Sequence, residues 1–206
     1  MRVGPTSALV IVALALSSLS STRPAHAQSA CLSGKLEAMA RKEAGLLSCL
    51  AGVAAKGRAA GFPRCIRKVA SRFARAYLDA GRCGEERTLC ECLTEQCAIA
   101  VRLVLPDAGP SRCEAARLRA AGTQARRKVG CSAEAARTGS TVDPACLEKA
   151  EAHLRAVFAR TGRCTGEQTA VEAVVNEECV RGLGADPTGG GTIGALCTSH
   201  ACDGVD

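Results

Sequence analysis

Apolar residues recur at helical spacing along most of the chain, and no stretch alternates convincingly as a strand would. Between Cys65 and Cys83, Ile66, Val69, Phe73 and Tyr77 fall on one helical face; Leu147, Ala150, Leu154 and Phe158 do the same between Cys146 and Cys164. Pro63 before Cys65, and Asp143-Pro144 before Cys146, are N-cap and first-turn residues. Gly81 and Gly162 mark the far ends. The helix before each of these is rich in Ala, Lys, Arg and Leu, which favour helix. A third helix is predicted after each: Leu89, Leu93, Cys97, Ala100 and Val104 share a face, and Val171, Val175 and Cys179 do so more briefly. Pro106, Gly109 and Pro110 end the first of these, and after Leu183 the chain turns to Gly, Pro and Thr, a loop-rich tail. The predicted fold class is all-α.

The cysteines repeat. Cys31, Cys49, Cys65 and Cys83 are separated by steps of 18, 16 and 18; Cys113, Cys131, Cys146 and Cys164 by 18, 15 and 18. Intervening residues agree: Lys35-Leu36 with Arg117-Leu118, Ile66 with Leu147, Lys68 with Lys149, Phe73 with Leu154, Tyr77 with Phe158, and Gly81-Arg82-Cys83 with Gly162-Arg163-Cys164. Gly84-Glu85 aligns with Gly166-Glu167, and Cys97 with Cys179. The pattern reads as a tandem duplication of a unit of about 82 residues. It divides the chain into a leader (1–27), a first unit (28–112) and a second (113–206) whose tail starts at about 184.

The spacing predicts bonding. Eighteen residues are five turns of helix, so both cysteines of a helix share a face about 27 Å apart. Antiparallel helices pair residues whose numbers have a constant sum. Cys31–Cys83 and Cys49–Cys65 both sum to 114, and Cys113–Cys164 and Cys131–Cys146 both to 277. Each unit is therefore expected to be a helical hairpin stapled at both ends; pairing Cys31 with Cys65 instead needs parallel helices and a long return loop. Six cysteines remain: Cys90, Cys92, Cys97, Cys179, Cys197 and Cys202. They allow fifteen connectivities. The most economical has the tail fold back and bond to the third helix of the first unit.

The N-terminus changes the compartment. Arg2, the apolar run Ala8 to Leu19 and the small-residue site Ala25-His26-Ala27 read as a signal peptide cut after Ala27. The apolar run is too short for a lasting span. Gln28 stands where a lipobox before Cys31 wants an aliphatic residue. All 14 cysteines lie beyond the cut, an even number as a disulfide framework in a secreted or periplasmic protein requires. With three Phe, one Tyr and no Trp the core is thin, and staples compensate for thin cores. The cut chain carries 25 basic and 20 acidic residues, net +5. Residues 31–112 hold 14 basic and 8 acidic residues, and 113–206 hold 11 and 12. The first half is mildly basic, short of a nucleic-acid-binding composition.

The frame Cys-x17-Cys, then Asp-Pro-Ala-Cys at 143–146, then Cys-x17-Cys with an aromatic shortly before Gly-Arg-Cys, resembles a group of secreted bacterial Cys-framed helical-repeat proteins of unknown function. The resemblance runs from Cys31 to about Cys179. It implies the hairpin-plus-third-helix layout and no particular site. The group's usual pattern lacks Cys90 and Cys92.

Candidate chemistry is sparse. Cys90-Glu91-Cys92 with Cys97, and Cys197 to Cys202 with His200, hold soft-metal ligand types, but Cys-x-x-Cys spacing is absent and an oxidising compartment consumes thiols as disulfides. No metal or cofactor is expected. Gly189, Gly191 and Gly194 satisfy Gly-x-Gly-x-x-Gly, yet the chain ends before a βαβ unit can follow, so a loop is expected there. His153 reads as a surface histidine, and no Gly-x-Ser-x-Gly elbow occurs. Arg64, Lys68, Arg72 and Arg75 follow i, i+4, i+8 and i+11, flanked by Arg67, opposite Ile66, Phe73 and Tyr77. Such a row meets a polyanion or is a solvated face; Glu148 and Glu151 break it in the second unit. Aromatics for base stacking are missing. The expectation is a non-enzymatic secreted scaffold or binding protein whose partner is another envelope or extracellular protein or an acidic polymer. The alternatives are polyanion binding through the stripe, and redox or metal chemistry at the six cysteines outside the hairpins.

Overall fold

The computed structural model describes residues 23–83, 87–105, 110–162, 164, 166–185 and 196–197, with side chains from Ala27 onward. Among them there is no strand. The helices are α1 (Arg23–Lys56), α2 (Phe62–Asp79), α3 (Arg87–Val104), α4 (Arg112–Thr138), α5 (Pro144–Arg160) and α6 (Gln168–Val174), the last continued by a π-helical segment, Val175–Val180, and a 3-10 turn, Arg181–Leu183. The expected leader before Arg23 lies outside the described residues, and the expected cut after Ala27 falls in the first turns of α1. Gly84, Glu85, Pro106, Gly109, Arg163, Gly189, Gly191, Gly194, His200 and Cys202 also lie outside them.

The start signals act as their chemistry predicts. Asp143 caps α5, accepting a hydrogen bond from the Ala145 amide at 2.9 Å, and a proline occupies the first turn of both α2 and α5. Ser111 caps α4 by accepting from the Glu114 amide at 3.1 Å. Each such cap is worth about 1 kcal/mol. Gly81 lies just beyond α2 at φ +106°, whereas α5 ends on Thr161, whose hydroxyl bonds back to Val157 O at 2.8 Å.

The predicted hairpins form. Cys31–Cys83 and Cys49–Cys65 bind α2 and its end to α1, with Cα–Cα distances of 6.1 and 5.8 Å. Cys113–Cys164 and Cys131–Cys146 bind α5 and its end to α4, at 6.1 and 6.0 Å. All four fall within ordinary disulfide reach.

The hairpins share one interior. α1 packs along α4, and Ser111 N donates to Ala54 O at 2.8 Å, so α4 begins where α1 ends. The two helices are antiparallel and close: a Cβ on Gly122 would lie 3.1 Å from Leu47 Cβ and 3.2 Å from Ala44 Cα. Leu36, Met39 and Leu47 of α1 belong to the same apolar cluster as Leu118, Ala121 and Val129 of α4, together with Leu154, Val171 and Leu183. The second hairpin adds a small cluster of Cys131, Ala135, Val142 and Leu147.

The third helices meet each other. Cys97 of α3 bonds Cys179 of the π-helical segment, with a Cα–Cα distance of 4.8 Å. The inward face of α3 is Cys90, Leu93, Thr94, Cys97, Ala98 and Val101, rotated from the expected stripe, so that Leu89 and Val104 sit at its margins. Two anchors at Cys90 set that rotation: a disulfide to Cys197, and a 3.4 Å contact between Cys90 Sγ and Tyr77 Oη. Val171, Val175 and Cys179 are buried as expected. The π-helical widening between them was not legible in a 3.6-residue period.

Candidate functional site

The outer face of α2 carries a dense row of cations. From residue 44 to residue 78 the chain holds seven basic residues and no acidic one. Arg64, Arg67, Lys68, Arg72 and Arg75 are all exposed, and none of their side chains makes an ion pair or hydrogen bond among the described residues. On the other side of the helix Phe73 and Tyr77 are buried against α1, and Val69 packs on Gly45. Two staples and this apolar face hold the helix, so the five cations project from a rigid support. The expected row Arg64, Lys68, Arg72 and Arg75 is thus brought together, and Arg67 belongs with it.

Other cations point inward. Lys35 is buried, with its ammonium 4.5 Å from the centroid of the Tyr77 ring, and it donates to Cys83 O. Arg117, at the matching place in the second hairpin, lies 4.3 Å from the Phe158 centroid and donates to Thr161 O at 2.8 Å, Gly166 O at 2.8 Å and Cys164 O at 3.3 Å. Both bind the carbonyls at the end of the second helix of their hairpin, where a cation is favoured. Burial lowers the pKa of both groups. Lys42 reaches Glu91 O and Glu95 Oε1, each at 2.9 Å, and lies 5.0 Å from the Phe73 centroid. Lys128 binds Glu151 Oε1 at 2.5 Å and Asn176 Oδ1 at 2.7 Å.

Where α1 faces the bond between α3 and the π-helical segment, a polar group stands without a hydrogen bond. Glu43 is fully buried, and neither carboxylate oxygen has a hydrogen-bond partner. Its carboxylate lies within 4.8 Å of the sulfurs of Cys97 and Cys179. Burial pushes its pKa well above the ordinary glutamate range, against the opposing pull of Lys42, so the carboxyl is held protonated. Gln124 of α4 is buried with its amide likewise unbonded.

The described cysteines outside the hairpins are consumed. Cys90 bonds Cys197, Cys97 bonds Cys179, and Cys92 is disulfide-bonded as well. No free cysteine occurs among the described residues. Sulfur in a disulfide is not a thiolate, so Cys90, Cys92 and Cys97 as bonded here do not present the ligand form of sulfur that a soft metal takes. The tail bonds to the third helix of the first unit, as the economical pairing expected. His153 is half-buried on α5, with its pKa lowered by burial and then by Arg127 and Arg160.

No family model, no curated protein and no solved structure matches this chain.

Residue-by-residue reading overlooked Glu43. The signal was present: Leu36, Met39, Glu43, Leu47 and Leu50 share one helical stripe, and an acid in such a stripe is either misplaced or held neutral. Lys42 and Lys128 are harder to foresee. Their partners come from helices that the sequence places tens of residues away.

Proposed function

We propose that this protein is an exported, non-enzymatic, disulfide-locked helical binding module that recognises an anionic polymer or surface through the outer face of α2. The observation that carries this reading is the row of five exposed cations on α2, none of them paired among the described residues, with Asp79 at the helix end the one acid of α2. A merely solvated helix face mixes signs, as α5 does with Glu148, Lys149 and Arg155. The expected leader and a cysteine framework bonded throughout the described residues support the export part of this reading. No helix among the described residues is long and apolar enough to cross a membrane. Membership of the Cys-framed helical-repeat group belongs to the same proposal.

The test is elution from a heparin column along a salt gradient. Arg72→Ser/Arg75→Ser is compared with Arg119→Ser/Arg126→Ser, which removes the same charge from exposed positions on α4. Clearly earlier elution of the α2 variant than of the α4 variant supports the reading, because local contacts and not net charge then set retention. Equal elution of the two overturns it.

A further inference from the structure

Four helices form a row: α2 packs on α1, α1 on α4 and α4 on α5. Each neighbouring pair is antiparallel. One end of the row therefore holds the N-terminus of α2, the C-terminus of α1, the N-terminus of α4 and the C-terminus of α5. Backbone contacts fix the junction there: Ser111 N donates to Ala54 O at 2.8 Å, and Gly57 lies against the Pro110 ring. Lys56 and Arg58, which flank Gly57, are thus carried beside Arg112, which follows Ser111. Lys56 and Arg58 line an open cavity of about 210 Å³ with Gly52 and Phe62. Arg112 and Arg160 line a second, of about 560 Å³, between the start of α4 and the end of α5.

The charge at this end has one dominant sign. Lys56, Arg58, Arg64, Arg112 and Arg160 are all exposed, and none of their side chains makes an ion pair or hydrogen bond among the described residues. The N-termini of α2 and α4 add the positive ends of two helix dipoles. The acids nearest in the chain are Glu114, buried and paired with Arg102 at 2.7 Å, exposed Glu167, and Asp107, which lies outside the described residues. The opposite end of the row is different: Asp79 ends α2, Asp143 caps α5, and Glu134 pairs with Arg137 near the end of α4. The row of cations on α2 therefore has a direction. It begins at the cationic end of the molecule and stops at Asp79.

We propose that the anion-binding face of α2 continues across this end of the molecule to Arg112 and Arg160 of the second hairpin, and that its ligand is a linear acidic polysaccharide long enough to touch both hairpins. The inference rests on the anion-recognising reading of α2 and adds the second half of the site and the class of ligand. The cations lie along the side of one helix and across the ends of others, an arrangement that a flexible chain can follow. The two cavities between them have room for sugar rings, and Gly52, Gly61 and Gly162 at their rims permit close approach. Phe62 offers a half-buried ring to the apolar face of a sugar. Nucleic-acid strands are held by stacking successive bases on several aromatics, and Phe62 is the one aromatic lining either cavity.

The experiment is calorimetric titration of the oxidised full chain with a heparin dodecasaccharide at several salt concentrations. Arg112→Ser/Arg160→Ser is compared with Arg119→Ser/Arg126→Ser, which removes the same charge from exposed positions further along α4. The first pair should lose about threefold to tenfold in affinity beyond the second, the scale of two surface ion pairs. Its salt slope should fall by about 1–2, with the slope of the second pair unchanged. Equal affinity of the two variants overturns the continuation onto the second hairpin. Arg72→Ser/Arg75→Ser, titrated beside them, keeps this inference apart from the reading it rests on. If that pair alone weakens binding beyond the control, the α2 reading stands and the continuation falls; if neither pair does, both fall. An oligothymidylate of equal charge that binds as tightly as the dodecasaccharide overturns the choice of glycan. Binding to phosphatidylglycerol vesicles without binding to the dodecasaccharide overturns it too.

Discussion

Cys97 and Cys179 occupy the same place in the two successive cysteine frames, 82 residues apart, and they are bonded to each other. A contact between like positions is what a two-fold relation puts on its axis. The antiparallel contact of α1 with α4 fits the same relation, since like helices there run past each other in opposite senses. Glu43 stands beside this bond, so a fully buried carboxyl without a hydrogen bond sits where the two halves meet.

That position makes stability fall as pH rises. Below the ordinary glutamate pKa of about 4.3, folded and unfolded chains both hold the Glu43 proton. Above it the unfolded chain releases the proton while the folded chain keeps it. Stability then drops by up to about 1.4 kcal/mol per pH unit until the raised folded pKa is passed. Glu43→Gln mimics the protonated form. We expect it to melt higher than wild type at pH 8 and nearly level with it at pH 4, measured by circular dichroism. A wild-type advantage at pH 8 would refute the assignment.

Arg117 holds the end of α5 through three carbonyls and the Phe158 ring. Arg117→Ala leaves those carbonyls without their donor and empties a buried site, so a loss of about 2–4 kcal/mol is expected. Arg117→Lys restores charge without the planar fork and should recover part of it. Urea denaturation of the oxidised proteins checks the order of the three. If alanine and lysine are equally damaging, geometry rather than charge carries the interaction.

Two glycines of α4 should respond in opposite directions. A Cβ at Gly130 meets nothing within 4 Å, whereas one at Gly122 is already tight against Leu47 and Ala44. Gly130→Ala should stabilise by about 0.5–1 kcal/mol through helix propensity alone. Gly122→Leu should destabilise by about 2 kcal/mol or more, because α1 must move away. Paired thermal melts decide; a stabilising Gly122→Leu would contradict the close crossing.

Removing the Cys97–Cys179 bond by a double alanine substitution frees the third helices from each other. Chain-entropy reasoning for a closed loop of this length gives a loss of about 4 kcal/mol, less whatever restraint Cys90–Cys197 still supplies. Urea midpoints should fall accordingly, with α2 and its heparin elution unaffected, since both staples of the first hairpin remain.

Much of this architecture was legible before any coordinates. Helical periodicity, Pro63, Asp143 and the eighteen-residue cysteine steps determine hairpins with nested staples, because five helical turns return a side chain to the same face. The exposed row on α2 was legible for the same reason: local period alone decides which residues of one helix share a side. Tertiary structure decided the rest. That Lys42 and Lys128 turn inward, that Glu43 is held neutral beside a disulfide, and that Arg112 meets the cations of the first hairpin at one end all depend on which helix lies opposite. Partners in these cases come from segments far apart in the chain, and their fit is settled by volume and charge across an interface that no local pattern records.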